Sequence, residues 1–148
     1  MHSRQPDPAD RNITGWVVLL VDDTPDNQMV AMIALKHHGA EVHTASNGEE
    51  ALSMLQTIHP TVILADIKMP KMNGWEMFKA LRENPETAHI PVIALTAYAM
   101  ETDREQILSA GFDGYIAKPF NLFTLVADVK RMVTEHETAR QGSEQVRK

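Results

Sequence analysis

The sequence predicts an open parallel α/β sheet with helices on both faces, and three observations carry that prediction. Short apolar runs alternate with helical patterns five times along 148 residues. Strands that each feed a helix pair in parallel through right-handed crossovers. The runs, such as WVVLLV at 16–21 and TVILA at 61–65, are apolar almost throughout, the mark of strands covered on both faces. Carboxylates, a threonine and a lysine then recur just past the ends of those runs, on the edge where such sheets bind their ligands.

The first strand, 16–21, is followed by Thr24 as N-cap and Pro25 at the first helical position. Met29, Ile33 and Leu35 keep helical spacing as far as His38, and Gly39 stops the helix. EVHTA, 41–45, alternates as a shorter second strand. Ser46 and Glu49 have capping-box spacing and open a helix through Ala51, Leu52 and Leu55 that ends before Pro60. The third strand, 61–65, ends at Asp66, and Met69-Pro70 and Asn73-Gly74 mark a sharply turning loop. Gly74 to about Glu83 is helical, with Met77, Phe78 and Leu81 on one side. IPVIALT, 90–96, is the fourth strand, and Thr102 with Glu105 suits a second capping box for a helix stopped at Gly111. GYIA, 114–117, is the fifth strand, after which Asn121 opens a last helix whose Leu122, Leu125, Val126, Val129 and Val133 run toward Glu137.

The expected organisation is a flexible polar lead-in at 1–14, one domain at 15–137 and a polar tail at 138–148 that frays. Composition narrows the function. A net charge of −6 without a basic cluster argues against direct nucleic-acid binding. No apolar run reaches the roughly 18 residues of a membrane span, and the start lacks the apolar stretch of a secretion signal. Zero cysteines excludes disulfides and thiolate metal sites and fits a cytoplasmic setting.

The chemistry lies at the strand ends. The first strand ends in Asp22-Asp23, the third in Asp66, the fourth in Thr96, and the fifth runs into Lys118-Pro119. Singly, each has an ordinary explanation: acids at a helix N-terminus, a turn-forming aspartate, a strand-end hydroxyl, a solvated lysine. Together they do not. Three carboxylates within about 5 Å of one another repel by roughly 3 kcal/mol per pair at an effective dielectric near 20. Such a cluster calls for a cation, and Mg²⁺ suits a few carboxylates, a backbone carbonyl and waters. Acids, metal, lysine and hydroxyl are what in-line phosphoryl transfer requires, with one carboxylate as nucleophile.

VLLVDD, ILADIKMPKMNGWE, PVIALTA and AGFDGYIAKPF, in that order, resemble the receiver domain of two-component response regulators over roughly residues 16 to 135. The resemblance implies a flavodoxin-like five-stranded sheet of order 2-1-3-4-5 with five helices. It also implies that Asp66 is the phosphoacceptor and that Asp22, Asp23, Asp66 and the backbone carbonyl of Lys68 hold Mg²⁺. Thr96 and Lys118 would contact the phosphoryl group, and Tyr115 would be the aromatic that swings inward. The Lys118-Pro119 bond is usually cis in that family. Lys68 and Tyr98, two past the acceptor and two past the threonine, are bulky, which implies slow self-dephosphorylation. The implied partners are a histidine kinase or histidine phosphotransfer protein and a downstream protein effector. The surface that changes runs from about Thr102 to Val133, and the chain is a monomer or a weak phosphorylation-dependent dimer. It is a signalling switch rather than an enzyme in the ordinary sense. With no room for an output domain after about residue 137, a stand-alone relay is expected rather than the receiver segment of a hybrid kinase.

Rival readings fare worse. A haloacid-dehalogenase-type phosphatase needs a second acid two residues after the nucleophile, where Lys68 stands. A flavodoxin needs a phosphate-cradling loop after the first strand, where DDTPDN is acidic and lacks glycine. A receiver-like adaptor that never takes phosphate is opposed by the intact acid, threonine and lysine set. His37-His38 reads as a surface pair at a helix end, the nine methionines mostly as packing, and Trp75 as packing ahead of partner contact.

Overall fold

The computed structural model describes residues 12–67, 72–97, 101–118, 121 and 124–146, the side chains of 101–103 and 139–146 excepted. Strands β1 (Val17–Val21), β2 (Glu41–Ala45), β3 (Val62–Asp66), β4 (Val92–Thr96) and β5 (Gly114–Ala117) form one parallel sheet in the order β2-β1-β3-β4-β5. The intervening helices are α1 (Pro25–His37), α2 (Gly48–Met54), α3 (Gly74–Glu83) and α4 (Glu101–Ala110), and α5 (Leu125–Val146) follows the last strand. The chain goes from β1 outward to β2, then returns to place β3 on the other side of β1. That reversal opens a crevice at the carboxyl ends of β1 and β3.

The apolar runs are legible because both faces of the sheet are covered. Val18, Leu20, Leu64 and Leu95 pack toward α1 and α5, while Leu19, Val21, Ile63 and Ala94 pack toward α2, α3 and α4. All five residues of β3 and of β4 are buried. Burying each Val, Ile or Leu among them is worth about 1.5–3 kcal/mol, so the central strands hold their last residues, Asp66 and Thr96, on a firm base. Gly39 and Gly111 end α1 and α4 with φ of 106° and 109°, the left-handed region that favours glycine.

Several features depart from the sequence expectations. Ile13 is fully buried in the α1/α5-side core and its amide donates to the His38 carbonyl, so the fold reaches back into the supposed lead-in. A lone isoleucine among polar residues has no periodicity to announce it. On α1 the inward face is Ala31, Ala34 and Leu35, whereas Met29 and Ile33 are 53% and 60% exposed. Small alanines let the helix approach the sheet closely, and Met29 is a surface residue rather than packing. The α2 cap sits one residue later than expected: Asn47 accepts from the Glu50 amide and Glu50 accepts from the Ser46 amide. S-N-G-E-E carries two overlapping candidates, and Asn47, not Ser46, takes the cap. α4 already includes Thr102 as its second residue, so that residue is not its cap.

The last helix also differs, running to Val146 instead of ending near Glu137 and fraying. Residues 138–146 lack an apolar stripe but also lack proline, and a helix already nucleated propagates through them even though Gly142 costs about 1 kcal/mol relative to alanine.

Far from the crevice, Asp113 in the turn before β5 joins several elements. Its Oδ2 accepts from the Val92 amide at 2.8 Å and from the Arg82 guanidinium at 3.1 Å, and its Oδ1 lies 2.6 Å from His136 Nδ1 on α5. Arg82 also donates to the Ile90 carbonyl. Burial pushes the Arg82 guanidinium below its ordinary value, an effect its pairing with Asp113 opposes. Trp75 packs edge-on against Phe112, which stacks on Phe78, so the tryptophan is part of this packing.

Candidate functional site

The strand register assembles the site. Val21 pairs with Ala65, so Asp22 falls level with Asp66 one residue further along both strands. Asp66 pairs with Leu95 and Thr96 with Ala117, which carries Thr96 and Lys118 to the same edge. The Lys118 amide donates to the Thr96 carbonyl at 2.8 Å, fixing the end of β5 against β4. Asp23, Thr24, Asp66, Ile67, Thr96, Ala97 and Lys118 line a cleft of about 230 Å³.

Within it, Asp22, Asp23 and Asp66 present one carboxylate oxygen each within 4.8 Å of one another. Asp22 and Asp66 are buried and Asp23 is exposed. Lys118 is the cation that this cluster holds: its Nζ donates to Asp66 Oδ2 at 2.7 Å and lies 2.9 Å from Asp22 Oδ2. Burial alone lowers the Lys118 pKa, but its hydrogen bond to Asp66 and its charge pairing with Asp66 and Asp22 outweigh burial and raise it above the ordinary value. The ammonium therefore stays charged.

Asp22 is held from its other side. Its Oδ1 accepts from the Thr24 amide at 2.9 Å, and its backbone carbonyl accepts from the Gln28 side chain of α1. Asp22 Oδ2 is buried and, although close to Nζ, is not in line for a hydrogen bond. A buried carboxylate oxygen without a directional partner, inside a cluster of three acids, is the donor chemistry of a hard divalent cation.

The loop leaving Asp66 is closed by the Gly74 amide donating to the Ile67 carbonyl at 3.1 Å. A Cβ at Gly74 would collide with the Asp66 carbonyl and the Ile67 Cα. Glycine is thus required for α3 to start directly behind the Asp66 backbone. Asn73 and Glu76 complete a reciprocal capping box at that start, a signal present in N-G-W-E that the turn reading of Asn73-Gly74 passed over.

Asp22, Asp23, Asp66, Thr96 and Lys118 all meet as the sequence suggests. Tyr115 stands apart, half-buried on the α4 side of β5 under the Arg104 guanidinium, 5.4 Å from the ring centroid. Lys68, Tyr98 and Pro119 lie outside the described residues. Sequence reasoning missed Gln28 and Arg104. Both look like solvated helix residues in sequence, and only the tertiary fold gives them partners.

A five-stranded doubly wound sheet of order 2-1-3-4-5 defines a flavodoxin-like architecture, here with an acidic triad and a lysine at its switch point. The chain belongs to the response regulator receiver domain family, whose model matches residues 18–130. It is 36% identical over 113 residues to the polar-differentiation response regulator DivK of Brucella ovis, covering 76% of this chain and 92% of that protein. An uncharacterized 14.6 kDa protein of Leptolyngbya boryana is 40% identical over 114 residues, covering 77% of this chain and 87% of its own. Among solved structures, the receiver domain of sensor histidine kinase PA1611 from Pseudomonas aeruginosa PAO1 matches with a TM-score of 0.74 at 33% identity, covering 82% of this chain and 99% of that one. That structure carries a magnesium ion coordinated in its active site cleft. No helix among the described residues is long and apolar enough to cross a membrane.

Proposed function

We propose that this receiver works in a histidine-aspartate phosphorelay in which Asp66 is the phosphoacceptor. The observation that carries the reading is the strand-end cluster itself: three acids within 4.8 Å, with Lys118 bridging the two buried ones. An Asp66 oxygen attacks the phosphorus of a phosphohistidine on a histidine kinase or histidine phosphotransfer protein. The P–N bond breaks, its electron pair returns to the imidazole, and an acyl phosphate forms on Asp66. Asp22, Asp23, Asp66 and the backbone carbonyl of Lys68 would hold Mg²⁺, the last on sequence grounds alone. Bound there, the ion supplies charge neutralisation for the transferring group. Lys118 pairs with an anionic phosphoryl oxygen, and the Thr96 hydroxyl donates to the group once transferred.

Added negative charge beside Lys118 and Thr96 then biases a two-state surface made of α4, β5 and α5, with Tyr115 as its moving aromatic. A downstream protein reads that surface, and the protein is a monomer or a weak dimer that phosphorylation favours.

Intact mass after incubation with Mg²⁺ and acetyl phosphate tests the reading. Wild type is expected to gain one phosphoryl group, Asp66→Asn none, and chelator is expected to abolish the gain. A folded wild type that gains nothing overturns phosphotransfer and leaves a constitutive adaptor. Because Lys68 and Tyr98 are bulky, the phosphorylated mass is expected to outlast seconds after donor removal. Complete loss within seconds would refute that shielding.

A further inference from the structure

We propose that Arg104 is a positioning residue for Tyr115, holding the ring in the α4–β5 seam and thereby setting the resting bias of the switch. The inference rests on the reading of Tyr115 as the moving aromatic. The Arg104 guanidinium carbon stands 5.4 Å from the ring centroid, inside the roughly 6 Å over which a cation is attracted to an aromatic face. Arg104 is exposed on α4 while the ring is half-buried and packs against the apolar cluster beneath α3 and α4. The guanidinium therefore covers the ring from the solvent side.

The other side offers a route. Tyr115 pairs with Ala94, and two residues along Thr96 pairs with Ala117. In strands, residues two apart share a face. Between the ring and the cleft the sheet thus presents two alanines and a threonine, side chains too small to block an aromatic. A shift of Thr96 toward a phosphoryl group on Asp66 widens that lane. Moving along it takes the ring away from Arg104, so the contact opposes the inward state and favours the present one. A cation–π contact at an exposed site corresponds to roughly a two- to fivefold change in such a ratio. Arginine suits the role because its planar guanidinium lies flat on a ring, which the compact lysine ammonium does not.

The test labels the full chain with 3-fluorotyrosine and follows ¹⁹F spectra with and without Mg²⁺ and beryllium fluoride, a phosphoryl mimic. The chain has two tyrosines, and the Tyr115 signal is assigned by its loss in Tyr115→Phe. In the free protein, Arg104→Gln is expected to move the Tyr115 resonance toward its beryllofluoride position, with the inward-to-outward ratio raised roughly two- to fivefold. Arg104→Lys is expected to fall between wild type and Arg104→Gln. Unchanged thermal melting confirms that this exposed substitution leaves the fold intact. If Tyr115 responds to the mimic in wild type but Arg104→Gln matches wild type, the Arg104 inference alone is overturned. If Tyr115 ignores the mimic in wild type, the switch reading fails and takes the inference with it.

Discussion

Lys118→Ala is expected to slow phosphoryl gain from acetyl phosphate by about 10²–10³-fold, the usual consequence of removing one preorganised donor to developing negative charge. The same substitution should cost stability. Lys118 is the cation that Asp22 and Asp66 share, at 2.9 and 2.7 Å, and Asp22 is fully buried. Taking one partner from a buried pair strands the other charge, typically at 3–5 kcal/mol. Asp66 and Lys118 each keep a little solvent contact, so a loss of about 3 kcal/mol in urea denaturation with chelator present is expected. Millimolar Mg²⁺ should recover part of it, because an ion bound only by the folded state stabilises that state by mass action. A variant as stable as wild type in chelator would show that the acids do not depend on Lys118.

The pH dependence follows from the raised Lys118 pKa. A base whose folded value exceeds its unfolded value contributes fully below the unfolded value, ordinarily about 10.4. That contribution is lost as pH rises through the higher folded value. The stability gap between wild type and Lys118→Met is therefore expected to stay flat from about pH 7 to 9 and to shrink only above about pH 10.5. A gap that closes near neutrality would contradict a lysine held by two carboxylates.

What was legible in the sequence is what local pattern encodes. Apolar runs ending in Asp22-Asp23, Asp66 and Thr96 gave both the strand positions and the edge where their last residues meet, because parallel pairing brings like ends together. Sheet order came from the family resemblance, since five interchangeable apolar runs do not rank themselves. The face of α1 was not legible: Met29 and Ile33 outweigh Ala31 and Ala34 on any hydrophobicity scale, yet it is the alanines that fit against the sheet. Contacts across long separations were invisible for a different reason. Asp113 meets Arg82 across 31 residues and His136 across 23, and nothing in AGFDGY distinguishes an aspartate with several partners from one that simply forms a turn.

That aspartate carries the second large expectation. Asp113→Ala removes the acceptor of the Val92 amide at the first residue of β4, the partner of the half-buried Arg82 and the contact of His136 on α5. A stranded buried donor costs about 1–3 kcal/mol, and more when charged. The side chains of Arg82, Asp113 and His136 are 25%, 15% and 19% exposed, so water takes up part of the loss. A destabilisation of about 2–3 kcal/mol is expected in urea denaturation. Asp113→Asn, which keeps an acceptor for one donor, should lose about half as much. Because Asp113 and His136 share one contact, adding His136→Ala to Asp113→Ala should cost less than His136→Ala alone costs in wild type. Val92 and Gly114 are the first residues of β4 and β5, the opposite end of the sheet from Asp66. Phosphoryl gain should therefore be unchanged wherever the variant is folded. Equal losses from His136→Ala in both backgrounds would break the network into independent contacts, and a slowed phosphoryl gain in folded Asp113→Ala would mean that the two ends of the sheet are coupled.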